Sequence, residues 1–307
     1  MISSQYDMVT ILGPTASGKT EVAVNLAHII GGEVISADSR QVYREMDLGT
    51  GKDIEEYRIN DVDIPYHLID IAEPGYQYNV FEFQRDFLKV YDELKEREKF
   101  TVLCGGSGMY LEAILKGYRL IQVPVNEQRR SELQLLTLDE LVELLKSYKS
   151  INNTSDTENR KRAIRAIEIE EFCIANPGTD LSFPEISSLI VGVKYDRDSR
   201  RRRITARLKQ RLENGMIEEV ERLLATGLKP DDLIYYGLEY KYLTNYIVDK
   251  LSYEDMFEGL NVAIHQFAKR QMTWFRKMER EGFNIRWLDG YMPLSEKTEK
   301  ILSWLNP

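Results

Sequence analysis

Three features that would announce other classes of protein are scarce or missing here. The chain has only two cysteines, Cys104 in an apolar strand-like run and Cys173 near a helix end. They are too few and too unlike in setting for a disulfide framework, and both read as reduced, small apolar residues. With three histidines, no repeated cysteine or histidine spacing and no HExxH, a zinc site is not expected. No stretch approaches the ~18 apolar residues of a membrane span, and the N-terminus lacks a basic-then-apolar signal pattern, so a cytoplasmic protein without membrane contact is expected. Internal repeats and low-complexity segments are also absent. Positive net charge is lacking too: 41 Lys and Arg against 50 Asp and Glu give −9.

That deficit argues against a nucleic-acid partner only if the charge is spread evenly, and it is not. "NRKRAIRAIE" carries Arg160, Lys161, Arg162 and Arg165. "DRDSRRRRITARLKQR" runs from Arg197 to Arg211, and "AKRQMTWFRKMER" mixes Lys269, Arg270, Arg276, Lys277 and Arg280 with Trp274 and Phe275. Charges are screened beyond roughly 8 Å at physiological salt, so a local patch outweighs the net value. The competing reading of each cluster is a solvated helix face with acidic partners at i+4, which "ARLKQRLENGMIEEVERLL" partly fits.

"ILGPTASGKTEVAVNLA", residues 11–27, matches G-x-x-x-x-G-K-[ST] at Gly13, Gly18, Lys19 and Thr20. The run "MVTILG" before it reads as a buried strand, and Val22, Val24, Leu26, Ala27 and Ile30 after it form a helical stripe. In that setting the amides of Gly13, Pro14, Thr15, Ala16, Ser17, Gly18, Lys19 and Thr20, except that of the proline, form a loop at a helix N-terminus, where backbone and dipole together bind an anion. Lys19 would neutralise the terminal phosphate, and Thr20 would offer its hydroxyl to Mg2+.

The chain to about Gly117 reads as a P-loop core. "GEVISADS" is a second strand ending in Asp38, "FQRDFLKVYDELKERE" a helix, and "FTVLCGGSGMYLEAILKG" a strand, glycine turn and helix. Alternating strands and helices predict an α/β fold with a P-loop NTPase-like parallel sheet and its ligand site at the strand C-termini, where Asp38, Ser39 and Ser107 fall. The polar segment that follows carries "TLDELVELLKSY" and "ENRKRAIRAIEIEEF" as helices, is flanked by "NPGTDLSFP", and reads as an inserted helical subdomain. "SSLIVGVKYD" returns as a strand, and the rest is mostly helical apart from "NIRWLD". The expected division is 1–117 for the first part of the core, 118–185 for the insertion and 186–307 for the return to the core.

Asp38 is placed to accept a proton from whatever attacks a bound phosphorylated substrate, or to cap a helix over "SRQVYREM". A small-molecule kinase could use such an aspartate to bind its acceptor hydroxyl. A second aspartate closing an apolar strand, as a P-loop magnesium needs, is missing, with Asp70 in "YHLIDIAEP" the only substitute.

"GPTASGKT", "ISADSRQVYREMDLGTGK", "YHLIDIAEP", "LCGGSGMYLEAILKG", "NRKRAIRAIEI", "RITARLKQRLENGMIEEV", "AKRQMTWFR" and "IRWLD" occur in this order over nearly the whole chain. In this the sequence resembles the tRNA dimethylallyltransferases. The resemblance implies transfer of a dimethylallyl group from dimethylallyl diphosphate to the exocyclic amine of the adenine just 3′ of the anticodon, with the P-loop holding the diphosphate instead of a nucleotide. It implies Asp38 as general base, Ser107 where the family usually has threonine, and Arg203 on the diphosphate with Arg207 as the lesser candidate. It also implies tRNA contacts at Asp38, Ser39, Arg40, Gln41, Arg129, Lys161, Arg162 and Arg165. The expected partners are the anticodon stem-loop of tRNA and dimethylallyl diphosphate, bound by a monomer. A small-molecule kinase and a prenyltransferase acting on free adenine nucleotides are the alternatives. The chain departs from the family in a shorter insertion, in "GLEY" at Gly237–Tyr240 where "GYKE" is common, and in Ile264–His265 where "TR" often stands. His265 receives no role, and the aromatic residues of "MTWFR" fit a core position at least as well as base stacking.

Overall fold

A computed structural model of the chain describes residues 5–118, 120–150, 155–177 and 182–306. β1 (Met8–Leu12) runs through the glycine-rich loop into α1 (Lys19–Ile30), and β2 (Glu33–Ser36) follows. A small hairpin of β3 (Arg58–Ile59) and β4 (Val62–Asp63) precedes β5 (Tyr66–His67), α2 (Val80–Glu96), β6 (Thr101–Gly105) and α3 (Gly108–Leu115). Next come α4 (Glu127–Leu133), α5 (Leu138–Tyr148) and α6 (Arg160–Ala175). The chain then forms β7 (Ser188–Lys194), α7 (Arg197–Glu213), α8 (Met216–Ala225), α9 (Pro230–Tyr235), α10 (Leu238–Ile247), α11 (Tyr253–Arg280), β8 (Arg286–Asp289) and α12 (Leu294–Leu305).

Six strands make one sheet in the order β5-β2-β6-β1-β7-β8, every neighbouring pair parallel. This is the α/β, P-loop NTPase-like architecture that the alternation of elements predicts. β1 and β6 are buried along their whole length, as expected of central parallel strands covered on both faces. Val9, Ile11, Val102 and Val191 of the sheet pack with Val22 and Leu26 of α1 and with Ile301 and Leu305 of α12. The helical stripe read between Val22 and Ala27 is thus the core face of α1.

Contacts divide the chain into two compact units, Met1–Tyr118 with Pro184–Pro307, and Arg119–Phe183. The second unit has its own core of Leu133, Leu141, Leu145, Ile164 and Ile167 on α4, α5 and α6. Of the flanking "NPGTDLSFP", residues 178–181 lie outside the described residues. Among the described residues no helix is long and apolar enough to cross a membrane.

Two local expectations are corrected. β2 stops at Ser36, two residues before Asp38, and no helix forms over "SRQVYREM". The Asp38 carboxylate takes the Arg40 N–H at 2.9 Å and turns the chain. The next backbone groups are consumed by the 70–72 segment, with Arg44 N–H on Ala72 O (2.9 Å) and Ile71 N–H on Val42 O (2.8 Å). A side chain competing for the local N–H, followed by long-range pairing, removes the hydrogen bonds a helix would need. Similarly, "ARLKQRLENGMIEEVERLL" is two helices, broken at Gly215 with φ 97°.

Candidate active site

The loop after β1 is shaped by its glycines. A Cβ on Gly13 would lie 2.6 Å from both Ser17 Oγ and Val193 O, and Gly18 caps α1 at φ 77°, a conformation that costs glycine little. α1 starts at Lys19, so the loop sits on a helix N-terminus, where free amides and the dipole favour an anion. Ser17 Oγ is buried and has no hydrogen-bond partner among the described residues.

This loop forms one wall of a cleft of about 760 Å³ in the first unit. Thr15 to Thr20, Asp38, Ser39, Arg40, Gln41, Ser107 and Arg203 all line it. Gly13 and Pro14 do not. Segments nearly two hundred residues apart in sequence therefore share one concavity, because the loops at the C-terminal ends of β1, β2 and β6 are roofed by α7 and α11. On α7 the arginines at 203, 207 and 211 recur every four residues and form a single stripe facing the cleft.

The hydrogen bonds are mostly braces of the wall. Arg203 Nε donates to Ala16 O at 3.0 Å and its guanidinium lies 4.4 Å above the Tyr195 ring. Arg207 donates to the Thr15 hydroxyl. Arg211 pairs with Asp53 at 2.8 Å. Ser107 Oγ accepts the Ser39 N–H at 3.0 Å and donates to Ser39 Oγ at 3.3 Å, so its hydroxyl holds the turn after Asp38. Gln41 accepts from Ser36 Oγ and donates to Gly51 O, both at 2.9 Å, which makes it a brace between two loops. Arg40 stands 5.6 Å over the Tyr236 ring. Beyond the Arg40 N–H, the Asp38 carboxylate takes no hydrogen bond among the described residues.

The cations strain against one another. Burial pushes the Lys19 ammonium below its ordinary value, with Arg207 adding to the shift and Cys104 and Asp38 opposing it. Burial, then the neighbouring Arg211, push Arg207 down to about 10. Burial likewise raises the carboxyls of Glu56 and Glu239 on the same wall. A bound anion would favour the charged forms of Lys19 and Arg207 and would push the two carboxyls further toward their neutral forms.

Asp70 is not available as a second magnesium carboxylate. It is absent from the cleft wall, and it binds the fully buried Lys52, which also pairs with Asp47 at 2.6 Å. Among the described residues no three Asp, Glu, His or Cys side chains converge on a point. Thr20 and Asp38 both line the cleft, one hydroxyl and one carboxylate, and a magnesium ion that kept its waters would need few protein ligands there.

Four of the expected RNA-contacting residues belong to the second unit. Lys161 and Arg165 border a hollow of about 610 Å³ with Arg130, Gln134, Arg160 and Ile164. Arg165 is held by Glu168 at 3.0 Å and by Val123 O at 2.9 Å. Arg129 and Arg162 do not border it: Arg129 is tied to Glu171 and Glu132, at 2.6 and 2.9 Å, and Arg162 to Glu158. Three of these four residues, Arg129, Arg162 and Arg165, thus carry the ion pairs of the competing reading. Phe275 is core, packed 6.2 Å from the Trp287 ring, and Trp274 lies over Gly108. His265 bonds Thr205 at 3.2 Å between α7 and α11.

Sequence reasoning missed several wall residues, among them Glu239, Phe267 and Gln271. Ile264, Phe267 and Gln271 follow helical spacing and so share one face of α11, but that spacing does not say which face meets the cleft. Glu239 sits in the "GLEY" departure.

A family model described as IPP transferase matches residues 41–278, and one described as isopentenyl transferase matches residues 6–72. A tRNA dimethylallyltransferase 2 of Bacteroides fragilis is 61% identical over 297 residues, 97% of this chain and 96% of that protein. A tRNA dimethylallyltransferase 1 of Geotalea daltonii is 52% identical over 293 residues, 95% of this chain and 94% of that one. The crystal structure of the full-length tRNA isopentenylpyrophosphate transferase of Bacillus halodurans aligns with a TM-score of 0.71 at 31% identity, over 97% of this chain and 94% of that chain. A eukaryotic dimethylallyltransferase acting on tRNA shares the fold, with a TM-score of 0.76 at 21% identity over 94% of this chain and 75% of that chain. With a family model spanning most of its length and relatives this similar from end to end, the chain belongs to the IPP transferase family of prenyl-transferring enzymes.

Proposed function

We propose that the protein transfers a dimethylallyl group from dimethylallyl diphosphate to the exocyclic N6 amine of the adenine 3′-adjacent to the anticodon in tRNA, releasing diphosphate. The observation that carries this reading is the single cleft in which a phosphate-binding loop faces both Asp38 and the arginine stripe of α7. The amine attacks the donor's first carbon, the carbon–oxygen bond to the diphosphate breaks, and the amine proton passes to Asp38. An aromatic exocyclic amine is a weak nucleophile, so holding both partners in line supplies much of the rate.

The loop amides, Lys19 and Arg203, with Arg207 behind them, receive the charge that grows on the diphosphate as it leaves. Magnesium, when bound, would neutralise phosphate charge further, and Thr20 is the residue that would hold it. Ser107 acts by fixing the turn that carries Asp38 and Ser39. The adenine must leave its stack to enter the cleft, at a cost of a few kcal/mol that is smaller in a loop than in a duplex. Phosphate contacts from Arg40 in the cleft and from Lys161 and Arg165 in the second unit offset that cost.

The test supplies protein and magnesium with labelled dimethylallyl diphosphate and either unmodified tRNA carrying that adenine or adenosine monophosphate, and in parallel with labelled ATP and small acceptors. Label should enter tRNA alone and vanish when the adenine is replaced by guanine. Label in the mononucleotide, or phosphate transfer without prenylation, would overturn the reading.

A further inference from the structure

Gln271 lies on α11, is 6% exposed, and lines the cleft beside the P-loop. Its Oε1 accepts the Thr15 N–H at 2.8 Å, and its Nε2 donates to Gly106 O at 2.9 Å. One amide therefore spans the loop after β1 and the glycine turn after β6. Gly106 is shaped for this contact: a Cβ there would fall 2.5 Å from Gln271 Nε2. Both linked segments serve the proposed chemistry. Thr15 begins the stretch that holds the diphosphate, and Gly106 precedes Ser107, which carries the Ser39 N–H and so the turn of Asp38.

We propose that Gln271 is a positioning residue for the transfer, fixing the distance between the diphosphate loop and the Ser107–Asp38 edge. The inference rests on the reading of the cleft as the site of prenyl transfer. A buried donor and acceptor satisfied by one side chain make a stiff link, because moving either segment breaks a hydrogen bond that water does not replace. Stiffness at that point matters because a displacement of about 1 Å between reacting groups costs roughly 100-fold in rate.

The test compares Gln271→Ala with Gln271→Met, which restores the volume but neither hydrogen bond. Two quantities are read on folded protein: the single-turnover rate at saturating donor and tRNA, and the affinity for inorganic pyrophosphate by calorimetry. Both variants should lose roughly tenfold or more in rate and several-fold in pyrophosphate affinity, with tRNA affinity kept within about twofold. Gly106→Ala pushes the amide out from the other side and should reproduce the loss even if the Gln271 variants do not fold. Recovery by methionine to within twofold of wild type would make Gln271 a packing residue and overturn the proposal. So would a loss confined to tRNA affinity. Wild-type protein that binds pyrophosphate but prenylates no tRNA would refute the proposed function, while the pyrophosphate comparison still decides the role of Gln271.

Discussion

At the scale of single residues, the proposed reaction assigns Lys19 and Arg203 to the donor, although Arg203 also braces the loop through Ala16 O. Gln41, Ser107 and Arg211 are spent on partners within the wall. We predict that Lys19→Ala and Arg203→Ala each lower transfer by about 3 kcal/mol, roughly 100-fold, as for other oriented donors to a leaving group. Binding of tRNA should survive both changes, which a filter-binding titration alongside single-turnover kinetics would register. An Arg203→Ala protein that bound tRNA weakly but kept its chemistry would move this arginine to the RNA surface. The place of Lys19 and Thr20 on the cleft was legible in the sequence because it follows from spacing within one short motif. Gln271 was not, because its partner Thr15 lies 256 residues away and no local pattern encodes that contact.

At the scale of elements, helices and strands with strong periodicity were legible and the connections between them were not. β1, α1, β6 and β7 follow from apolar runs and glycine turns. The segment after Asp38 reads as helix on local grounds, yet it pairs with residues 70–72 instead. The loop at 47–49 shows why such segments resist local reading. Glu219 on α8, 2% exposed, accepts the N–H groups of Asp47, Leu48 and Gly49 at 2.9, 2.7 and 3.0 Å, together with the Tyr240 hydroxyl at 2.7 Å. One carboxylate thus closes a loop whose sequence gives no hint of it. Glu219→Ala leaves those donors without an acceptor and should destabilise the protein by about 3 kcal/mol, read as a lower urea midpoint at unchanged slope. A midpoint equal to that of the wild type would mean that water enters and satisfies the loop.

At the scale of the molecule, a chain of net charge −9 presents a cleft walled by Lys19, Arg40, Arg203, Arg207 and Arg211. Net charge therefore does not describe the cleft, whose wall also carries Asp38, Asp53, Glu56 and Glu239. That the sheet is parallel was accessible from the alternation of strands and helices, but its strand order and the ion pairing of the basic residues were not. The pairing of Arg129 with Glu171 brings together two helices of the insertion, far beyond the i+4 window in which a helix surface can be read. The central claim is that the cleft performs prenyl transfer with Asp38 as the base. It is tested most directly by the single-turnover rate of Asp38→Asn at saturating tRNA and labelled dimethylallyl diphosphate. The account predicts retained donor binding with transfer slowed by roughly 100-fold or more, the loss expected when a general base is removed; transfer within a few-fold of wild type would contradict it.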